Sequence, residues 1–387
     1  MLLQARRAAL TLGLCLIALP AAACIWDSNT LRDELQTRGL GLFELITGQV
    51  PHHGERFYEA QAQRARARLK AAPEDLTAGD DLVGATVKLG LFEEARATLD
   101  NQLAKQPKRY ESLSNLGVLL KKQGDFPGAA RAIARALEQK PEGHMGLGDW
   151  YLRMLRYQAA KAAGRPWKGS TFLSDDDEAE ESWAWTSTPF SRRDFSVPSS
   201  PGEALDLEQI IELCARMIRN DERFPGSYVL LGQALEIRFD LNLAFWSYAR
   251  ALELGCEDPE GVEAAMAKIH AHWTEAAGRG YDGVGKSVED LPAAHARVRD
   301  GFAAAARWRA QFEAAEAGLI AKAGSGEVVE FAAVEAELAR RGITKQEPRN
   351  VGVVQAAPSG PTFVLLILAA LGLWLYRNAL RRRRRAA

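Results

Sequence analysis

Three prolines, Pro73, Pro107 and Pro141, lie 34 residues apart in the first half of the chain. A fixed period of this length is typical of stacked helix pairs. A single pair cannot bury its apolar face alone, so each pair packs on its neighbours along an array. The spacing therefore predicts an all-α fold that is built by repetition.

The clearest unit runs from Tyr110 to Gly143. Its first half places apolar residues and a glycine on one helical face, and its second half sets small residues around a large apolar one. Asp125 can cap the second helix, and Pro127 is tolerated in its first turn. Small residues let two helices approach closely, while larger ones fill the space between units. The positions are Leu113, Leu116, Gly117, Leu120, Ala129, Ile133 and Ala136.

This pattern resembles the tetratricopeptide repeat family. A weaker unit lies one period earlier and a third match lies later, so the resemblance covers mainly residues 74–141 and 225–260. It implies a tetratricopeptide-type helix-pair solenoid that binds a protein or peptide and has no catalytic role. In this family the binding groove is lined by the first helix of each pair. The partner contacts implied here are Lys88, Glu111, Ser114, Lys121, Lys122, Gln233 and Glu236.

The helical pattern fails in an irregular insertion, residues 164–203. It contains the acidic run Asp175–Glu181, followed by Trp183 and Trp185. A structureless loop of this length is uncommon in a compact domain and is usually functional or mobile. One interpretation is a solvated acidic insertion whose aromatic side chains fold back over the helices. The other is a recognition loop in which Trp183 and Trp185 anchor a partner.

Residues 1–23 have the organisation of a secretory signal peptide. Arg6 and Arg7 precede an apolar run that ends in a proline and three alanines. Cleavage after the alanines makes Cys24 the first residue of the exported chain. Lipidation of Cys24 and ordinary cleavage without lipidation are both open, because bacterial lipoprotein signals usually carry leucine where this chain has Ala21.

The C-terminal segment predicts a single transmembrane helix over residues 362–380. The stretch is largely apolar, includes the interfacial aromatic residues Trp374 and Tyr376, and approaches the roughly 20 residues needed to span a bilayer. An arginine-rich tail follows, residues 381–387, and cationic flanks stay in the cytoplasm. The body then lies on the other side, on a flexible linker of residues 343–361. Removal of the tail as a sorting signal is the less favoured alternative.

The body divides into residues 24–163 with N-terminal helices and the first repeats, residues 204–275 with a second repeat block, and residues 276–342 with C-terminal helices. The chain has 49 basic and 50 acidic residues, and eight of the basic ones lie in its two terminal arginine groups. The body is therefore acidic. Nucleic acid requires a basic face, so it is not a predicted partner.

Motifs that carry chemistry are scarce. Cys214 and Cys256 either pair as a disulfide, if Cys24 is lipidated, or stay as buried thiols. His270 and His272 point to different sides of a helix and make a poor metal site. No zinc spacing, phosphate loop or nucleophile elbow occurs. The sequence predicts no catalytic residue, metal, cofactor or small-molecule substrate.

Together these features predict a non-enzymatic, membrane-anchored scaffold or adaptor of a Gram-negative-type cell envelope. Its repeats bind a partner polypeptide, its body lies in the periplasm and its arginine-rich tail lies in the cytoplasm. The alternative function is an envelope hydrolase or a glycan-binding protein that uses the insertion at residues 164–203.

Overall fold

The fold is known from a computed structural model. Within its described residues the chain forms two compact units, one comprising residues up to Val262 together with those from Arg299 onward, and the other comprising Glu263–Val298. The described secondary structure is helical, which confirms the all-α prediction for this part of the chain. The described residues are 27–28, 39–167, 171–173, 205–279, 288–323 and 328–346.

Short connections join most of the helices. The two long connections are residues 163–206 and 279–290, and each includes residues outside the described ranges. The helix bounds are α1 Leu42–Thr47, α2 Glu55–Ala71, α3 Leu76–Lys88, α4 Phe92–Lys105, α5 Tyr110–Lys122, α6 Phe126–Gln139, α7 Gly143–Gly146, α8 Gly148–Ala162, α9 Leu207–Asn220, α10 Pro225–Ile237, α11 Leu241–Glu253, α12 Pro259–Gly278, α13 Leu291–Ala323 and α14 Phe331–Arg340. Each of α2 to α5 packs on the helix that follows it, and α6 packs on α8.

Two pairs form the first repeat block, α3 with α4 and α5 with α6. Asp75 caps α3 by accepting from the amide of Ala78, and Asp125 caps α6 by accepting from Gly128, as the sequence predicts for Asp125. The turns inside the pairs contain Gly90 and Gly124 at φ of 74° and 81°. Both values lie in the left-handed region that glycine adopts without strain. The two turns are therefore sharp and alike.

The core of the first block is apolar and continuous between the pairs. Gly117 lies so close to α6 that an added Cβ would be 2.5 Å from Cδ1 of Ile133. This contact is the close approach that the sequence pattern predicts. One buried cluster joins α3, α4 and α5 through Val83, Val87, Ala95, Leu99, Val118 and Leu119.

The second repeat block consists of α9, α10 and α11. A capping box between Asp206 and Gln209 begins α9. An added Cβ on Gly232 would lie 2.5 Å from Cε1 of Tyr248, so the same close approach occurs between α10 and α11. The turn between these helices contains Phe239 at a φ of 69°, where the first block has glycine.

The segment between α1 and α2 is held by distant parts of the same unit. Arg250 donates from Nε to the Ile46 carbonyl at 2.9 Å, and Arg309 donates to the Gly48 carbonyl at 2.8 Å. Glu316 is buried and accepts from the Gly54 amide at 2.7 Å and from His53. Side chains from the C-terminal half of the chain therefore hold the segment that leads into the first repeat block.

Helices α13 and α14 enclose a second apolar core. Its buried members are Trp308, Phe312, Ala315, Val329, Phe331, Val334 and Leu338. Within the part of the chain that the structure describes, no helix has both the length and the apolar character of a membrane span. The predicted signal peptide and the predicted span over residues 362–380 lie outside the described residues.

Candidate functional site

Lys88 and Lys122 occupy equivalent positions in the two units of the first block. They stand 34 residues apart in the last turns of α3 and α5, and these helices pack side by side. Both side chains are exposed. A cation at a helix C-terminus is favoured by the helix dipole. The repeat thus places two ammonium groups at the same edge of the block.

The loop between α9 and α10 lies against this edge. Lys121, the neighbour of Lys122, forms an ion pair with Asp221, and the side chains are only 13% and 14% exposed. Two residues further on, Arg223 is exposed. The buried ion pair between Lys121 and Asp221 therefore holds Arg223 close to the lysines of the first block.

Glu222 fixes the same loop from the opposite side. Its carboxylate accepts from Arg309 at 3.1 and 2.7 Å, and Nε2 of His52 lies 3.4 Å away. Burial alone would raise the pKa of Glu222, but the hydrogen bonds from His52 and Arg309 outweigh it and hold the pKa far below its usual range. Glu222 is therefore ionised at neutral pH, and the loop is held in place by charge.

Like charges meet at Lys122. Lys122 is exposed, but partial desolvation of its ammonium group and then the positive charges of Lys88 and Lys121 lower its pKa, and Arg223 acts in the same direction. Asp221 opposes them, but it is already paired with Lys121. The three exposed cations, Lys88, Lys122 and Arg223, are called the basic rim below.

The cations of the basic rim have no ion-pair partner among the residues described. The Lys88 ammonium lies over the ring of Tyr58, with Nζ 5.9 Å from the ring centroid. By contrast, other cations in or beside the first block are paired, such as Arg66 of α2 with Glu94 at 2.6 Å and Arg96 with Asp100 at 2.9 Å. Three neighbouring cations that lack a counter-charge within the described part of the chain leave room for an anionic ligand.

The other predicted contact residues are placed differently. Ser114 is fully buried and its hydroxyl lies 3.2 Å from Nε2 of His144, so it does not reach the surface. Glu236 is buried and accepts from the Tyr248 hydroxyl at 3.0 Å. Glu111 and Gln233 are half-buried. Among the members of the predicted set that the structure describes, only the three lysines are therefore brought together.

The first-helix face of α3 is covered by the chain itself. The Ser28 amide donates to Oδ1 of Asp81 at 2.8 Å. The Asp27 carboxylate lies against Gly84, where an added Cβ would be 2.5 Å from Oδ2. On α5, Ser112 and Ser114 are buried as well. Residues 27 and 28 therefore occupy part of the groove face of α3 that the family resemblance implies.

The described beginning of the insertion is anchored beside the basic rim. The ring of Phe172 lies 4.9 Å from that of Phe224, and Arg153 donates to the Leu173 carbonyl at 2.5 Å. Trp183 and Trp185 lie outside the described residues, so their predicted role stays a prediction.

Arg223 and Asp221 were missed by sequence reasoning. They belong to a loop outside the repeat pattern, and no spacing relates them to Lys121 or Lys122. Their only signal is a cluster of charges, Asp221, Glu222 and Arg223, between two helical segments. Such clusters are common on protein surfaces and do not indicate which residue they contact.

The cysteines and histidines suggest no separate chemical site. Cys214 and Cys256 are free and buried, so the disulfide proposed as one alternative is absent. Burial raises the pKa of the Cys214 thiol and makes it a weak nucleophile. In the second unit, Nε2 of His270 lies 2.7 Å from the Glu289 carbonyl. The described residues contain no cluster of three potential metal ligands.

Fold and site together define a helix-pair repeat protein. The family model described as tetratricopeptide repeat matches residues 82–144 and, in an overlapping match, residues 115–165. These matches support the tetratricopeptide family for the first block, where the sequence pattern is most regular. No curated protein matches the chain significantly.

Proposed function

We propose that this protein is a scaffold of the bacterial cell envelope that binds a partner polypeptide at its first repeat block. Proteins built from tetratricopeptide repeats generally act as non-catalytic interaction scaffolds, and the family match covers this block. The observation that carries the proposal is the basic rim. It is an exposed set of cations that a buried ion pair and the repeat geometry hold in one place.

The location is proposed from the two ends of the sequence. Arg6 and Arg7 before an apolar run, and residues 362–380 before an arginine-rich tail, support export and anchoring in the membrane. Fractionation of cells that produce the full chain should recover it with the inner membrane. Added protease should reach the body only after the outer membrane is opened. Recovery in the cytoplasmic fraction would contradict this part of the proposal.

Binding can be tested by photo-crosslinking in cells. Gln123 is exposed and directly follows Lys122, so a photoreactive phenylalanine derivative at position 123 samples the basic rim. The expected result is a discrete adduct with an envelope protein, lost when Lys88→Glu and Lys122→Glu are combined. The control places the same derivative at position 108, in the loop that precedes α5 at its opposite end. The same adducts from both positions, or no protein adduct, would sink the scaffold function.

A further inference from the structure

We propose that the basic rim recognises an extended acidic segment of the partner, with two carboxylates three residues apart on Lys88 and Lys122 and a further carboxylate on Arg223. This inference rests on the proposed function and specifies the chemistry of the partner. It assigns a role to Arg223, which lies outside the repeat.

Holding the three cations of the basic rim close together costs electrostatic free energy. Cations at the end of a helix are favoured individually, but Lys88, Lys122 and Arg223 come from three different elements and repel one another. This repulsion contributes to the lowered pKa of Lys122, after partial desolvation of its ammonium group, which is the larger cause. Surface charges that serve solubility alone would be mixed in sign. A carboxylate-bearing ligand removes the repulsion and gains attraction from each cation.

The spacing of the ligand follows from the packing of α3 and α5. Side-by-side helices have axes about 8–10 Å apart. Lys88 and Lys122 occupy the same position on these two helices, so their side chains start about that far apart. A segment in the polyproline II conformation has three residues per turn and advances about 3.1 Å per residue, so side chains three residues apart lie on one face about 9 Å apart. Carboxylates at every third position therefore match the repeat, whereas consecutive carboxylates do not.

A peptide fits the rim better than a membrane surface. The chain without its terminal arginine groups has more acidic than basic residues, so an anionic bilayer repels the body as a whole. A peptide meets only the local positive potential of the rim. The exposed side chains also permit lateral access, which an extended segment requires.

The test uses the full chain purified in a nonionic detergent and fluorescence anisotropy with labelled, end-blocked peptides. One peptide carries glutamate at every third position, a second carries the same number of glutamates consecutively, and a third carries glutamine at every third position. We expect the first to bind at least about tenfold more tightly than the second, with no binding of the third. Binding should weaken as salt screens the charges.

Variants separate the rim from general surface charge. Lys88→Glu with Lys122→Glu should weaken binding of the first peptide by about tenfold or more, and Arg223→Glu by a smaller factor. Lys108→Glu, at an exposed lysine near the opposite end of α5, should leave it unchanged. Lys122→Arg retains the charge and should retain binding. Circular dichroism of each variant confirms that it is folded.

Several results would overturn the inference. Equal binding of the spaced and consecutive peptides would refute the register, and equal loss from Lys108→Glu would show nonspecific attraction. Binding to phosphatidylglycerol vesicles but not to peptides would assign the rim to lipid. Peptide binding only after the acids of Asp175–Glu181 are neutralised would assign the rim to the chain's own acidic run. If peptides fail while crosslinking at position 123 succeeds, the scaffold function stands and the partner chemistry is wrong.

Discussion

The two repeat blocks use the same helix-pair contact but differ in their turns and edges. Gly117 and Gly232 allow the same close approach of paired helices. In the first block Gly124 lies in the turn after α5, and α5 ends with Lys121 and Lys122. In the second block Phe239 lies in the turn after α10, and α10 ends with Glu236 and Ile237. The helix-pair contact is thus shared by both blocks, whereas the basic rim combines the lysines of the first block with an arginine of the loop that precedes α10.

The largest expected effect concerns the arginine that links helices within each block. Arg109 forms two hydrogen bonds with Asp80, whose side chain is 3% exposed. Arg109→Ala leaves a buried carboxylate and should lower the free energy of unfolding by about 3 kcal/mol. In the second block Arg238 pairs with Glu208 and Asp240 at the surface, and Arg238→Ala should cost less than about 1 kcal/mol. Urea unfolding followed by circular dichroism gives both values.

A double substitution identifies the cause. If the buried charge is responsible, Asp80→Asn added to Arg109→Ala should recover part of the loss. Equal losses from Arg109→Ala and Arg238→Ala would remove this difference between the blocks.

The next effect compares the two glycines of the helix-pair contacts. Alanine at position 232 would meet the ring of Tyr248, which is buried and held by a hydrogen bond to Glu236. Gly232→Ala should therefore cost about 2 kcal/mol through overpacking. Gly117→Ala meets Cδ1 and Cγ1 of the buried Ile133, a smaller side chain than Tyr248, and alanine gains helix propensity there, so its cost should be smaller, about 1 kcal/mol. Thermal unfolding of the two variants tests the order, and a larger loss for Gly117→Ala would contradict it.

The smallest effect concerns the turns. Phe239 is 53% exposed and has a left-handed backbone, which is strained for a bulky residue. Phe239→Asn should raise the free energy of unfolding by about 0.5–1 kcal/mol, because asparagine tolerates this conformation. Gly124→Ala, with open space around the added Cβ, should lower it by about 1 kcal/mol. A loss of stability in Phe239→Asn would show that the ring contributes contacts that outweigh the backbone strain.

Much of the fold could be predicted because the packing of each helix pair depends on residues within a single repeat. The 34-residue period, the capping role of Asp125 and the small residue at position 117 are visible in short windows of sequence, and the structure shows each of them. The equivalence of Lys88 and Lys122 follows from the same period. The burial of Ser114 and Glu236 could not be predicted, because it depends on His144 and Tyr248 rather than on the helix that carries each residue.

The sequence by itself determined the repeating helix pairs, their caps and the lysines at the ends of α3 and α5. These features depend on residues within one period, where helix geometry converts spacing directly into a shared face. Tertiary structure alone decided that Arg223 joins those lysines. The ion pair between Lys121 and Asp221 that places it joins residues 100 positions apart. The covering of α3 by Ser28 and the contact of Arg309 with Gly48 span 53 and 261 positions. No local sequence pattern predicts contacts between residues so far apart in the chain, because these contacts depend on how the helices of the whole unit pack together.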